Sequence, residues 1–183
     1  CSTVVASLPV SVSSWRRLAL GILAAAVFAG ICGRAGAADI LINSGTTTVT
    51  TGSSISQPGD NAFVAYLPNT TAGLSVVSGS MSVYDLSVGY GDSSHGTFSL
   101  SGGTVSLGGS LIVATGSSTI GSTTISGGVL SVASTIEVGK GGAGQFTLSG
   151  GSVSSDAVIL AVNPSTSGTV SITGGTWSVT NDV

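Results

Sequence analysis

Residues 96–109 read GTFSLSGGTVSLGG. Phe98 and Leu100, then Val105 and Leu107, stand at alternate positions on either side of the pair Gly102 and Gly103. Alternation at period two sends one set of side chains to one face of a strand and the intervening set to the other. Two such short runs cannot hold together alone, because an isolated hairpin buries too little apolar surface. The phrase therefore predicts strands that find their partners elsewhere in the chain.

Those partners are copies of the same phrase. Units open at Gly73, Gly96, Gly121, Gly144 and Gly168, and an earlier, longer unit from Gly45 fits only at its start. Aligned on the glycine after each Ser or Thr, the marks are Gly79, Gly102, Gly127, Gly150 and Gly174, at intervals of 23, 25, 23 and 24. The apolar residues keep register too. A first run places Phe98/Leu100, Thr123/Ile125, Phe146/Leu148 and Val170/Ile172 in equivalent positions. A second aligns Val105/Leu107, Leu130/Val132, Val153/Ser155 and Trp177/Val179. A third aligns Leu86/Val88, Leu111/Val113 and Ile136/Val138, with Ile159 and Ala161 as the next pair.

Three short strands per unit, stacked unit upon unit, would pair in parallel around one shared core. The turn glycines Gly102, Gly103, Gly127, Gly128, Gly150, Gly151, Gly174 and Gly175 fall between the first and second runs, where such a coil must bend sharply. Confining glycine to corners avoids the roughly 0.5–1 kcal/mol it costs inside a strand. A propeller blade needs about 40–45 residues, and the helical segment of a leucine-rich repeat is missing. The predicted fold is all-β: a right-handed parallel β-helix, or β-solenoid, preceded by a signal-peptide helix. Its domains are residues 1–37 (N-terminal extension and signal peptide), 38–72 (cap and degenerate first coil) and 73–183 (tandem repeats). Both ends of the chain are expected to be cut points in a longer protein.

The composition agrees. Of 183 residues, 42% are hydrophobic, 6% are charged and 29 are glycine, where an ordinary soluble domain carries about 25% charged residues. Hydroxyls take over the polar surface. Trp15-Arg16-Arg17, the uncharged run Leu18–Ile31 and Ala35-Gly36-Ala37 follow the order of a secretory signal peptide. The run is short for a membrane span, which needs about 20 apolar residues; a retained helix is the alternative. Cys32 could be a lipidated cysteine, but Ile31 stands where that cleavage site needs a small residue. Cleavage after Ala37 would remove both cysteines and Arg16, Arg17 and Arg34, leaving Lys140 as the one Lys or Arg against seven acidic side chains. Such a surface excludes nucleic-acid binding, which works by neutralising phosphates, and attraction to anionic membranes.

The pattern G-x-φ-x-φ-[ST]-G-G-x-φ-S-φ, with the turns Leu86–Gly89 and Ile136–Gly139 and the phrase Gly175-Thr176-Trp177, resembles the repeats shared by autotransporter passengers and PEP-CTERM-sorted proteins. The resemblance spans about residues 73–183 and, more weakly, 45–72. It implies an exported protein, secreted or held at the outer surface of a Gram-negative-type bacterium. It also implies a C-terminal translocating barrel or sorting tail outside this chain, so membrane contact only through that anchor or the signal segment. It brings no catalytic residues to carry over.

Candidate chemistry is sparse. His95 follows Asp92 in a loop, a pairing that could serve a serine nucleophile, but no nucleophile-elbow sequence accompanies it. Asp60, Asp85, Asp92, Glu137 and Asp156 fall in different units and could include an acid and base for polysaccharide cleavage. Gly89-Tyr90-Gly91-Asp92 matches one piece of a calcium nonapeptide repeat, and Gly141–Gly144 lacks its Asp. No catalytic, metal or cofactor residues are predicted. The ordered polar feature is a ladder of hydroxyls: Ser99 and Ser101, Thr124 and Ser126, Thr147 and Ser149, Ser171 and Thr173. Ser106, Ser131, Ser154 and Ser178 form a second row. Outward hydroxyls suit stacked strands because they avoid like-charge repulsion between coils. They could also meet a repetitive surface such as a glycan, extracellular matrix or ice. The expected function is a structural or adhesive stalk, with a polysaccharide-active enzyme or a glycan- or ice-binding face as alternatives.

Overall fold

The computed structural model describes residues 39–181, which contain strands and turns and no helix. The expected signal segment lies outside the described residues. The first coil is β1 (Ile40–Ile42), β2 (Gly45–Val49) and β3 (Ser54–Gln57); the second is β4 (Ala62–Val64), β5 (Thr71–Val76) and β6 (Ser80–Val83). The third is β7 (Leu86–Val88), β8 (His95–Leu100) and β9 (Thr104–Leu107); the fourth is β10 (Leu111–Val113), β11 (Ile120–Ile125) and β12 (Val129–Val132). The fifth is β13 (Thr135–Val138), β14 (Ala143–Leu148) and β15 (Ser152–Ser155); the sixth is β16 (Ala157–Leu160), β17 (Ser167–Ile172) and β18 (Thr176–Val179).

Each strand pairs in parallel with the strand three places on, giving three six-stranded sheets. Sheet A runs β1-β4-β7-β10-β13-β16, sheet B holds β2 to β17 and sheet C β3 to β18. This is a parallel β-solenoid of six coils. Leu74, Phe98, Thr123, Phe146 and Val170 pile vertically in sheet B. Val76, Leu100, Ile125, Leu148 and Ile172 form the neighbouring column. Sheet C contributes Met81, Val105, Leu130, Val153 and Trp177. Sheet A contributes Leu86, Leu111 and Ile136, each fully buried. These columns meet in one hydrophobic core, each fully buried side chain contributing about 1.5–3 kcal/mol of transfer free energy.

The register departs from the sequence alignment in two places. Ala72, not Gly73, stacks on Gly96, and Gly79 joins the row of Gly103, Gly128, Gly151 and Gly175 rather than that of Gly102. Aligning Gly73 with Gly96 would turn Leu74 and Val76 outward, since one residue of slip exchanges the faces of a strand. In the sixth coil Val158 and Leu160, not Ile159 and Ala161, continue the columns of Ile136 and Val138. In the second coil burial on the inner face outweighed glycine spacing, and in the sixth the register follows from pairing with β13.

Glycine is also not confined to corners. Gly96, Gly121, Gly144 and Gly168 lie in register inside β8, β11, β14 and β17. There the strand passes against the preceding corner: a Cβ on Gly121 would meet the amide nitrogen of Ala114 at 2.5 Å and the carbonyl oxygen of Val88 at 2.6 Å. At the Gly-Gly corners the two residues have separate tasks. The second has positive φ, for example +76° at Gly128, a conformation that side chains disfavour. The first sits on a carbonyl of the coil below, and a Cβ on Gly150 would stand 2.5 Å from Ser126 O.

Thr123 shares its column with one other polar residue, Thr47 at the lower end, and is itself fully buried between Phe98 and Phe146, where its Oγ1 has no hydrogen-bond partner. An unpaired buried hydroxyl is costly, while an apolar group of the same shape is not. Thr123→Val is expected to raise the unfolding free energy by about 1–2 kcal/mol, read as a higher urea midpoint at unchanged m. A lower midpoint would show that the hydroxyl holds a partner in solution.

Candidate functional site

The triangular winding gives each sheet an outer face, and the three differ in chemistry. On sheet B, Thr48, Ser75, Ser99, Thr124, Thr147 and Ser171 stand in one column of six hydroxyls. Ser101, Ser126, Ser149 and Thr173 do not share that column. They follow the strands and form a second, exposed row on the corner leading to the glycine pairs, with Val77 below Ser101. A third row was not anticipated from the sequence: Thr46, Gly73, Thr97, Ser122, Gln145 and Thr169. Its period-two spacing from Ser99 is the signal that could have found it.

Sheet C extends the second predicted row at its lower end. Ser56 and Ser82 precede Ser106, Ser131, Ser154 and Ser178, so all six coils place a serine there. Beside it run Ser54, Ser80, Thr104, Val129, Ser152 and Thr176. Spacing along each column is the strand separation, about 4.7–4.9 Å, and two residues of strand, about 6.6 Å, separate the columns. Some hydroxyls bond along the stack: Ser99 donates to Ser75 Oγ at 3.0 Å, and Thr176 to Ser152 Oγ at 3.1 Å. Ser149 Oγ donates to Ile125 O at 3.4 Å, and the rest are left to meet water or a surface.

Among the described residues, no Asp, Glu, Lys or Arg lies in sheet B, in sheet C or on the corner between them. Every described carboxylate belongs to sheet A or its two flanking corners. Most of them clamp the next coil. Asp85 Oδ1 accepts from Ser110 N at 2.6 Å, Asp92 Oδ1 from Ser117 N at 2.9 Å and Asp39 Oδ1 from Asn61 N at 3.3 Å. Asp156 accepts from the Asn181 side chain. Glu137 pairs with Lys140 at 2.9 Å, three residues on. This is a partly buried pair at the surface, contributing about 1 kcal/mol. Asp92 thus directs Oδ1 to a backbone amide, while His95 stands exposed at the start of β8.

The outward column of sheet A is mainly apolar: Leu41, Phe63, Ser87, Ile112, Glu137 and Ile159. Beside it Tyr66 and Tyr90 stack at 5.2 Å, and Phe63 meets Tyr90 edge-on at 4.7 Å. Aromatic pairs in these geometries add about 0.5–1.5 kcal/mol beyond their buried area. This cluster joins the second and third coils from outside the core.

Shallow depressions mark the surface of the described residues. One, of about 250 Å³, lies on sheet C against Val129, Ser152, Thr176 and Trp177. Another, of about 470 Å³, lies at the B–C corner against Gly52, Ser78, Gly79 and Gly103. No carboxylate lines either. Among the described residues there is no group of three metal-ligating side chains, at Gly89–Asp92 or elsewhere. No described helix is long and apolar enough to cross a membrane. What the geometry offers chemically is two uncharged hydroxyl lattices and one apolar, acid-rimmed flank. Comparison with protein-family models, with curated proteins and with solved structures gives no match for this chain.

Proposed function

We propose that this chain is the stalk of an exported bacterial surface protein, passenger-like or PEP-CTERM-sorted in type, whose work is structural or adhesive. The supporting observation is the continuous core. Six coils stack in unbroken register, about 24 Å from first to last, with their polar surface spent on hydroxyl columns and coil-to-coil clamps. Such a rod lengthens by adding coils and projects whatever it carries away from the cell. Expression of the 183-residue chain in a Gram-negative host tests the export step. A mature N-terminus at Ala38 outside the cytoplasm is expected; an uncut cytoplasmic product would refute it.

A second reading rests on the hydroxyl lattices: sheets B and C bind a repetitive surface, a glycan or ice. Thr124→Lys puts a charge in the middle of the sheet B column at an exposed site. It is expected to weaken retention on the bound polysaccharide or extracellular-matrix surface about tenfold, or to abolish ice-growth inhibition, with a stability change within about 0.5 kcal/mol. Equal retention of the variant would remove sheet B from the reading.

A further inference from the structure

Among the described aromatic side chains, Phe63, Tyr66, Tyr84 and Tyr90 lie outside the core, in sheet A of the second and third coils or on its corners. Exposed apolar residues scattered singly are ordinary, but a gathered patch marks a contact surface. Tyr66 and Tyr90 occupy one column of the A–B corner, which continues upward as Thr115 and Lys140. Their rings stack at 5.2 Å and 13°, close to the spacing between coils. Phe63, which meets Tyr90 at 4.7 Å, also belongs to the second coil. Both ring partners of Tyr90 therefore come from the coil below. Toward the fourth coil its column offers only the small Thr115, and Tyr90 is 38% exposed.

Asp92 stands beside that open side. Its Oδ1 accepts from Ser117 N at 2.9 Å, in the loop between β10 and β11. Oδ2 is left for another donor. Asp60 and Asp85 mark the opposite corner of sheet A. The six described carboxylates face one described lysine, and all of them lie on this side of the rod.

We propose that the flank centred on Tyr90 and Asp92 is a docking surface for a protein partner that presents an arginine within an apolar segment. The guanidinium continues the tyrosine stack on the open face of Tyr90, where the ring quadrupole attracts a cation. Its fork donates to Asp92 Oδ2, a planar match that a lysine ammonium does not make. The apolar neighbours of that arginine cover Phe63, Leu67 and Ile112. Charge selects the occupant: an acidic segment is repelled here, and a neutral saccharide, which also stacks on tyrosine, leaves the carboxylates unpaired. The surface is separate from the hydroxyl lattices of sheets B and C.

The test titrates the 183-residue chain into a labelled peptide alternating leucine and arginine, read by fluorescence anisotropy, with amide shifts locating the site. Affinity is expected to fall at least about tenfold in Tyr90→Ser and to survive in Tyr90→Phe. Val129→Ser, at a residue exposed to a like extent on sheet C, should leave it unchanged. Asp92→Asn keeps the acceptor for Ser117 N and should weaken binding roughly threefold to tenfold. Lysine in place of arginine in the peptide should cost at least about threefold with the parent chain and nothing with Tyr90→Ser. Equal affinity of Tyr90→Ser and the parent would overturn the proposal, as would equal affinity for a glutamate version of the peptide. So would absence of binding, or amide shifts centred on sheet B or C. A neutral glucan oligosaccharide that shifts Tyr66 and Tyr90 where the peptide does not would also overturn it.

Discussion

Phe146→Ala is expected to lower the unfolding free energy by about 3–5 kcal/mol, the cost of emptying a large aromatic site from a packed core. Phe146 is fully buried, lies in register between Thr123 and Val170, and meets the Trp177 ring at 4.7 Å. Its neighbours cannot close the gap, because each is pinned by ladder hydrogen bonds to an adjacent coil. The loss falls at the junction of the fourth, fifth and sixth coils, so urea unfolding should separate into two phases, the C-terminal coils melting first. Removal of Ile172, 56% exposed in the next column, should cost under about 1 kcal/mol. Equal midpoints for Phe146→Ala and the parent would mean that these residues do not share a core.

Gly121→Val is expected to cost at least about 3 kcal/mol or to prevent folding, by overpacking against backbone. The valine Cβ would press on Ala114 N and Val88 O, and its methyl groups on the Val113 side chain, whose Cγ1 is already 2.8 Å from the Cβ position. Two of these atoms are main chain and cannot swing aside. The column has its own control: Ala72 occupies the same place in the second coil and is buried at 3% exposure. Ala72→Gly should therefore change the midpoint by about 1 kcal/mol or less. A Gly121→Val variant as stable as the parent would show that the corner has room, and that the glycine row answers to something other than close approach.

The legible part of this structure lies in its alternating runs. Phe98/Leu100 and Val105/Leu107 announced inward columns because period two survives in the chain without any tertiary knowledge. Copies at 23–25 residues said that the columns stack. Where a run was less regular, the reading slipped. Gly73 and Gly79 looked aligned by residue type, and Ile159 by hydrophobicity, yet only pairing with β8, β9 and β13 decides which neighbour faces in. Glycine spacing shows where backbone is tight and does not count residues around a corner.

The surface was less legible than the core. Ser99 and Ser101 read as one ladder because both point away from the apolar residues; the fold puts a strand end between them, so one joins a sheet and the other a corner. The carboxylates were scattered in the sequence over separate units. Coiling brings all the described ones to sheet A and its flanks, where Asp39, Asp85, Asp92 and Asp156 bond to the coil that follows. Nothing local in the chain reveals this, since a partner 22–25 residues away becomes adjacent only after a full turn.

The amino-acid order by itself determined the all-β class, the repeat and the identity of most core residues, because alternation and periodicity are properties of neighbours along the chain. The tertiary structure alone decided the register of the irregular coils and the split between charged and uncharged faces. Those depend on which atoms meet across coils, and the burial of whole columns, summed over many contacts, outweighs the preference of any single residue.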